Sequence, residues 1–239
     1  MTELLYQTDS YLQRFEAKVE ALDEQGRGIA LDRSAFYPGG GGQPADSGSL
    51  TVNGVIYAIK RAKKMGDFVF HYVEGEDPLP PLGAVVQGQI DWERRHQLMR
   101  THTALHVLCG VVFRDYGASV TGGDMEPLDG RMDFEFERMQ HELVDQIQQA
   151  VNREVAAARE VRVAILPREE AFAIPDLIRT KISLLPEGIQ QVRVVEIVGL
   201  DLQADGGTHV HNTAEVGSIR VVDYKSKGKI NKRIYIAIE

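Results

Sequence analysis

The sequence has a single cysteine, Cys109, among 239 residues, and the lack of a second thiol excludes an intramolecular disulfide. It has no apolar run of the roughly 18 to 20 residues needed to span a bilayer. Its first residues, MTELLYQTDS, have neither the basic nor the apolar region of a signal peptide. We therefore expect a cytoplasmic protein without membrane spans.

Positive charge is also scarce. The chain has 27 lysines and arginines against 35 aspartates and glutamates, a formal net charge of −8. Phosphate binding needs cations in excess, so a general nucleic-acid coating role is not expected, and DNA is not an expected partner. A local basic patch is compatible with this balance. One such run lies near the C-terminus and contains Arg220, Lys225, Lys227, Lys229, Lys232 and Arg233.

The first 92 residues have the pattern of β-strands. Apolar Phe15, Ala17 and Val19 alternate with charged residues, which is the period of a half-buried strand. Asn53-Gly54 separates two apolar stretches and is a strong hairpin signal, because type I′ turns need positive φ at both central residues. A further strand-like segment, DFVFHYVE, precedes the proline-rich DPLPPLG. We predict a small N-terminal β-barrel over residues 1–92.

After this point helical patterns come first and strand patterns follow. A helix is predicted over RRHQLMRTHTALHVLCGVVFRDYG, with Gly117 as its stop and an apolar face made of Leu98, Leu105, Leu108 and Val112. A second helix is predicted from about Glu137 to Glu160, with a core stripe of Leu143, Ile147, Ala150, Val151 and Val155. Four strand-like segments follow. The sequence therefore predicts an α+β domain over residues 93–239, with two helices packed on a mainly antiparallel sheet.

Two segments carry side chains suited to metal binding. His102 and His106 are four residues apart on the first predicted helix, so they lie on one face, one turn apart. About 100 residues downstream, the stretch DGGTHVH contains Asp205 and His209, and Gly206-Gly207 between them lets the loop fold back on one ion or lets a ligand approach the backbone. Three histidines with a carboxylate or water form a reasonable zinc site.

Other interpretations of these residues stay open at this point. HxxxH alone is a weak pattern, and Thr103 stands where a metalloprotease motif needs glutamate. Cys109, one turn beyond His106, is a rival fourth ligand, although a buried cysteine is more often a packing residue. His209 and His211 also fit an ordinary loop.

Three ordered motifs resemble a known family. DWERRHQLMRTHTALHVL, TGGDMEPLDGRMDFEF and LQADGGTHVHNTAEVGSIRV resemble the editing domain of alanyl-tRNA synthetases and the free-standing AlaX trans-editing proteins. FYPGGGGQPADSG resembles the glycine-rich segment that precedes this domain. The resemblance runs from about Phe36 to Val222. We find no resemblance to a class II aminoacylation domain with its ATP site, so the similarity is to the medium-length stand-alone editors.

The resemblance implies a zinc-dependent aminoacyl-tRNA deacylase acting on Ser-tRNA(Ala), with Gly-tRNA(Ala) as a further candidate substrate. It implies His102, His106 and His209 as zinc ligands. Position 205 departs from the commoner cysteine, and because oxygen is a harder ligand than thiolate, the fourth ligand is Asp205, Cys109 or water. An editing site with a partner for the serine hydroxyl would prefer serine over alanine. Thr103 and Thr121 are the candidates for that contact.

The glycine-rich loop and the basic run each allow two interpretations, one structural and one functional. The glycine-rich loop of Gly39, Gly40, Gly41, Gly42, Gln43 and Asp46 is a flexible turn, or it brings backbone amides and two polar side chains to the substrate. The basic run of Lys225, Lys227, Lys229, Lys232 and Arg233 is a solvated hairpin, or it binds tRNA.

Two other function classes compete with editing. A metal-dependent hydrolase of a small ester or amide would use the same ion without tRNA, and the acidic net charge favours it. A noncatalytic RNA-binding adaptor would leave the histidines structural. Dependence of activity on chelation and on intact tRNA distinguishes the three.

Overall fold

The computed structural model describes residues 1–136, 140–177 and 188–239. The chain divides into two compact units, Met1–His96 and Gln97–Glu239. The junction falls within a helix, and the boundary between residues 92 and 93 stays a prediction. None of the described helices is long and apolar enough to cross a membrane.

The first unit is a closed six-stranded barrel with a short parallel strand pair beside it. Its strands are β1 (Glu3–Leu4), β2 (Arg14–Asp23), β3 (Gly28–Leu31), β4 (Arg33–Ser34), β5 (Gly48–Val52), β6 (Val55–Met65), β7 (Phe68–Val73) and β8 (Val85–Ile90). The barrel order is β2-β3-β7-β6-β5-β8, and β1 pairs with β4. Every pairing in the barrel is antiparallel.

Local sequence explains two features of the barrel. Asn53 and Gly54 have φ of 49° and 84°, and Val52 pairs with Val55 across them, so the predicted hairpin is present. Phe15 on β2 points into the core and is 7% exposed. A Cβ on Gly88 of the neighbouring strand would lie 2.4 Å from the Phe15 ring, so glycine at this position makes room for the aromatic side chain.

The second unit contains two antiparallel sheets and three helices among the described residues. Its elements are α1 (Trp92–Tyr116, which begins in the first unit), β9 (Val120–Glu126), β10 (Asp129–Glu135), α2 (His141–Ala156), β11 (Val161–Pro167), α3 (Arg168–Phe172), β12 (Gln191–Ile197), β13 (Asp201–Ala204), β14 (Ile219–Ser226) and β15 (Asn231–Ile238). The sheet orders are β14-β15-β10-β9 and β11-β12-β13. The predicted fold class, a barrel followed by an α+β unit with two long helices, is confirmed.

The helices differ in how they are buried. Every residue of α1 from 101 to 112 is buried, and the helix ends where Gly117 adopts φ of 64° and donates its N–H to Phe113 O. Helix α2 is amphipathic and contacts β14. Its core stripe contains Val144, whereas the predicted Leu143 is half-buried. The predicted start at Glu137 lies outside the described residues, and the short α3 was not predicted.

Candidate metal centre

Helix α1 and the loop after β13 bring four side chains together. His102, His106, Asp205 and His209 each offer one ligand atom, and these atoms all lie within 4.8 Å of one another. The ring centroids of His102 and His106 are 5.1 Å apart, and those of His102 and His209 are 4.2 Å apart. The three histidines are buried. His102 and His106 lie in the part of α1 where every residue is buried, and the loop of His209 contacts this part through the bond from Val210 N–H to Thr103 Oγ1.

The distances from Asp205 test whether this cluster fits a metal. Its Oδ2 lies 3.0 Å from His209 Nε2, and its Oδ1 lies 3.4 Å from His102 Nε2 and 3.9 Å from His106 Nε2. Ligand atoms about 2.0 to 2.1 Å from a tetrahedral zinc ion lie about 3.3 Å from each other. The donor set and spacing therefore fit a four-coordinate ion. Cys109, 1% exposed, is not part of any such cluster among the residues that the structure describes.

The protonation states of the cluster suit a cation. Burial lowers the pKa of His102 well below its usual value and that of His209 to about 4, so both rings are neutral near pH 7. Burial opposes ionisation of Asp205, but the three neighbouring histidines hold the pKa of this carboxyl well below its usual range. Neutral imidazoles and an ionised carboxylate are the forms that ligate metals.

His106 differs from the other two histidines because a carboxylate lies behind it. Burial alone would lower the pKa of His106, but the hydrogen bond to Asp201 and the charge of Asp205 raise it. The Nδ1–H of His106 donates to Asp201 Oδ2 at 3.1 Å. An ion bound at Nε2 would meet a ring already oriented by this bond.

Two more side chains support the loop. Thr103 is fully buried, and its Oγ1 lies 3.2 Å from His209 Nδ1 and accepts a bond from Val210 N–H. Arg193 donates from Nη1 to Asp205 O at 2.9 Å. The hydroxyl of Thr103, a predicted contact for the substrate, is thus engaged behind a histidine. The other candidate, Thr121, is exposed on β9 and donates to Asn231 Oδ1.

The glycine pair of the loop has ordinary backbone angles. Neither Gly206 nor Gly207 adopts positive φ, and the loop folds back so that Asp205 Oδ2 lies 3.0 Å from His209 Nε2. Gly207 N–H donates to Asp205 Oδ2 at 2.7 Å, a local turn that aspartate side chains favour. The approach of a ligand to this backbone stays a prediction. Gly206 is exposed, and a Cβ there would meet no atom within 4 Å.

The glycine-rich segment of the first unit forms a tight turn. Gly39, Gly40, Gly41 and Gly42 have φ of 82°, 136°, 57° and 90°, conformations that favour glycine. The backbone groups of Gly40 and Gln43 bond reciprocally, at 3.1 and 2.9 Å. Gln43 is 2% exposed, and the two middle glycines form the exposed tip. Two hydrogen bonds and positive φ thus define the shape of the turn, and its contact with the substrate stays a prediction.

Asp46, the last predicted residue of this segment, lies in the interior of the unit. It is 1% exposed, and both its oxygens accept bonds from Arg95 Nε at 3.0 Å. Oδ2 also accepts from Tyr37 N–H at 2.6 Å. Arg95 is fully buried and donates further to Ser10 O and Ala35 O. The Asp46 carboxylate therefore supports the structure of this unit and does not face solvent.

The five residues of the C-terminal hairpin that were predicted to bind tRNA fall into two groups. Lys227 and Lys229 are exposed at the turn between β14 and β15, and Lys225 is exposed but pairs with Asp223 at 2.9 Å. Lys232 is 6% exposed and donates to two backbone carbonyls of the turn, and Arg233 forms a two-bond pair with Asp133. The expectation of five solvent-facing cations is therefore wrong for Lys232.

Comparisons with known proteins identify the family. The family model described as "Threonyl and Alanyl tRNA synthetase second additional domain" matches residues 192–235, which include Asp205 and His209. The model described as "tRNA synthetases class II (A)" matches residues 5–94. This second similarity was not predicted from the sequence. The matched residues are those of the closed barrel.

Similar proteins cover the whole chain. It is 37% identical over 243 residues to the alanyl-tRNA editing protein AlaX-M of Saccharolobus solfataricus, covering 100% of both chains. It is 38% identical to the AlaX-M protein of Methanosarcina mazei, over 100% of this chain and 97% of that one. The alanine–tRNA ligase of Pyrococcus furiosus is 37% identical over 92% of this chain and 24% of its own. The chain therefore belongs to the AlaX-M family of alanyl-tRNA editing proteins.

Proposed function

We propose that the protein is a zinc-dependent hydrolase that deacylates Ser-tRNA(Ala), with Gly-tRNA(Ala) as a second substrate. The observation that carries this proposal is the buried cluster of three histidines and Asp205 in a chain of the AlaX-M family. Its ligand spacing fits zinc, and the nitrogen-rich donor set favours zinc over magnesium or calcium, which prefer oxygen.

A zinc ion held by these four residues would have to accept a fifth ligand to act on the ester, either the ester carbonyl, which it would polarise, or a water, whose pKa it would lower. Neighbouring residues orient the ligand side chains of the cluster. Asp205 is anchored by Gly207 N–H and by Arg193 next to its carbonyl, and His209 lies against the hydroxyl of Thr103. An aminoacyl ester is already activated, so correct placement of these groups supplies most of what its hydrolysis still requires.

The exposed backbone at Gly206 is our proposed approach for the substrate. A methyl group there has room in the folded protein, because a Cβ would meet nothing within 4 Å. Gly206→Ala should therefore fold as the wild type does and raise KM for Ser-tRNA(Ala) by crowding the bound aminoacyl group. Gly123→Ala is the matched control, because it adds a methyl on β9 whose nearest neighbour is Arg131 O at 3.7 Å. An unchanged KM would remove Gly206 from the proposed site.

For the serine hydroxyl we propose Thr121, whose side chain is exposed. Thr121→Val keeps the shape and removes the hydroxyl. It should lower kcat/KM for Ser-tRNA(Ala) more than for Gly-tRNA(Ala). Only serine has a side-chain hydroxyl, so only the serine substrate loses a hydrogen bond when the threonine hydroxyl is removed. Equal losses on both substrates would argue against a contact with the serine hydroxyl.

We also propose that Lys225, Lys227 and Lys229 contribute to tRNA binding. The exposed turn of the C-terminal hairpin supports this, since Lys227 and Lys229 lie in its only long stretch of exposed residues. Lys232 and Arg233 serve the hairpin itself through their bonds to backbone carbonyls and to Asp133.

The test of the proposed function is deacylation of Ser-tRNA(Ala) against Ala-tRNA(Ala), with chelation and zinc add-back. His209→Ala should lower kcat/KM by more than about 100-fold, since losing a ligand costs more than losing the groups that support it. His211→Ala, which removes an exposed ring two residues away, is the matched control. Zinc-dependent hydrolysis of simple esters with no turnover of Ser-tRNA(Ala) would instead favour a small-molecule hydrolase.

The fourth ligand has its own test. Asp205→Cys should bind zinc at least as tightly as the wild type, because thiolate is a softer ligand for zinc. Zinc affinity is measured by competition with a chelator. A large loss of affinity would contradict the assignment of Asp205 as a ligand.

A further inference from the structure

Asp201, the first residue of β13, is a buried carboxylate that lies outside the four-residue cluster. It is 4% exposed, and its Oδ2 accepts from His106 Nδ1–H at 3.1 Å and from Gln203 Nε2 at 2.6 Å. We infer that Asp201 is a positioning residue of the metal centre, which holds His106 in the tautomer that presents Nε2 to the ion. This inference rests on the proposed zinc site.

The chemistry of Asp201 and His106 determines which ring nitrogen carries the proton. A neutral imidazole carries one proton, and an ionised carboxylate accepts hydrogen bonds but donates none. The proton of His106 must therefore lie on Nδ1, and Nε2 keeps its lone pair. Nε2 is the atom that faces the cluster, 3.9 Å from Asp205 Oδ1. A carboxylate behind a ligating histidine fixes the ring orientation and raises the basicity of the ligand nitrogen.

The close approach of β13 to helix α1 makes this bond available. Gly110 lies one turn after His106 on α1. A Cβ at Gly110 would lie 2.9 Å from Leu200 Cγ, 3.0 Å from Asp201 Cβ and 3.1 Å from Leu200 O. Real Cβ atoms rarely come this close to a neighbour, and two of the three atoms belong to or adjoin the backbone. Glycine at position 110 thus lets the start of β13 reach the helix, and Asp201 reaches His106 as a result.

The first experiment measures zinc affinity by chelator competition. Asp201→Ala should weaken zinc binding about 10- to 100-fold, the range found when the supporting partner of a ligand is removed. Asp201→Asn should lose less, since its amide oxygen still accepts from Nδ1–H. Glu154→Gln is the matched control, because it converts another buried carboxylate of the same unit into an amide. Its zinc affinity should stay within about twofold of wild type.

A second readout separates positioning from general destabilisation. Nitrogen-15 NMR of the metal-free protein, at a pH where His106 is neutral, should show its proton on Nδ1 in the wild type and a mixture of the two tautomers in Asp201→Ala. Gly110→Ala should also weaken zinc binding, although alanine is the better helix former. Gly123→Ala, with an added methyl 3.7 Å from its nearest neighbour, should leave zinc affinity unchanged.

The outcomes distinguish this inference from the proposed function. If the wild type binds zinc and Asp201→Ala and Asp201→Asn both retain its affinity, the positioning role is overturned and the zinc site stands. If the wild type binds no zinc, the proposed zinc site fails, and the role of Asp201 fails with it. Circular dichroism of the metal-free variants identifies any that do not fold. If Asp201→Ala is among them, Asp201→Leu takes its place, because leucine fills the space of the side chain and offers His106 no acceptor; zinc affinity equal to that of the wild type in Asp201→Leu would overturn the positioning role.

Discussion

Replacing His71 should change how the stability of the barrel depends on pH. His71 is fully buried on β7, with Nε2 2.7 Å from Ser34 Oγ and Nδ1 2.9 Å from Ile29 O. Burial lowers the pKa of His71 from 6.5 to about 4, and the bond to Ile29 O offsets part of that shift. Between about pH 6.5 and pH 4, His71 binds a proton in the unfolded chain but stays neutral in the folded barrel. Stability is therefore present in full above pH 6.5 and is lost as pH falls towards 4.

The size of the effect follows from the two pKa values. Each unit of difference corresponds to about 1.4 kcal/mol, so this side chain accounts for about 3 kcal/mol across the whole window. Between about pH 7.5 and pH 5 the loss amounts to about 2 kcal/mol. His71→Gln still offers a donor and an acceptor but takes up no proton in this range. It should therefore lose about 2 kcal/mol less than the wild type over the same interval.

The assay is urea unfolding at a series of pH values, followed by the fluorescence of Trp92, the one tryptophan of the chain, which belongs to the barrel unit. The pH slopes of wild type and His71→Gln are compared, so the cost of the substitution itself cancels. His141→Gln, which replaces a ring 75% exposed in the other unit, is the control and should follow the wild type. Parallel slopes for wild type and His71→Gln would refute the reasoning.

Two further predictions concern charged side chains, one set buried and the other exposed. Asp46→Asn leaves the fully buried Arg95 without a charged partner and should destabilise the barrel by about 3–5 kcal/mol in the same urea assay; a loss below about 1 kcal/mol would contradict the buried pair. Replacing Lys227 and Lys229 by alanine should make the logarithmic salt dependence of tRNA binding shallower by about 1.5. Lys232→Ala should leave that slope unchanged and lower stability instead, and a change in slope would return Lys232 to the RNA-binding surface.

The parts of the fold that sequence predicted are those set by local patterns. Alternation on β2, the Asn53-Gly54 turn and the stop at Gly117 each follow from neighbouring residues, and each is present in the structure. Spacing also placed His102 and His106 on one face of a helix. The same kind of pattern was available for Lys232, which shares the parity of the buried Ile234 and Ile236 on β15. The alternation of β15, continued back into the basic run, predicts that Lys232 is buried.

The residues that sequence missed depend on contacts between distant segments. Asp201 meets His106 across 95 positions, and Asp46 meets Arg95 across 49. Neither pair has a short motif, because the partners are brought together by strand pairing and helix packing. Gly110 likewise looks like a poor residue for a helix until the strand that approaches it is known. The roles of such residues can be assigned only once the packing of the distant segments is known.

With aspartate at position 205, the four-residue cluster contains no thiol. Thiolate ligands are oxidised to sulfenic acid or disulfides, and metal release follows. Here the cluster offers only imidazole and carboxylate groups, and the one thiol of the chain, Cys109, is 1% exposed inside helix α1. Peroxide and thiol-alkylating reagents therefore find no reactive group at this site. A zinc ion bound here, as we propose, would have no thiolate ligand for an oxidant to attack.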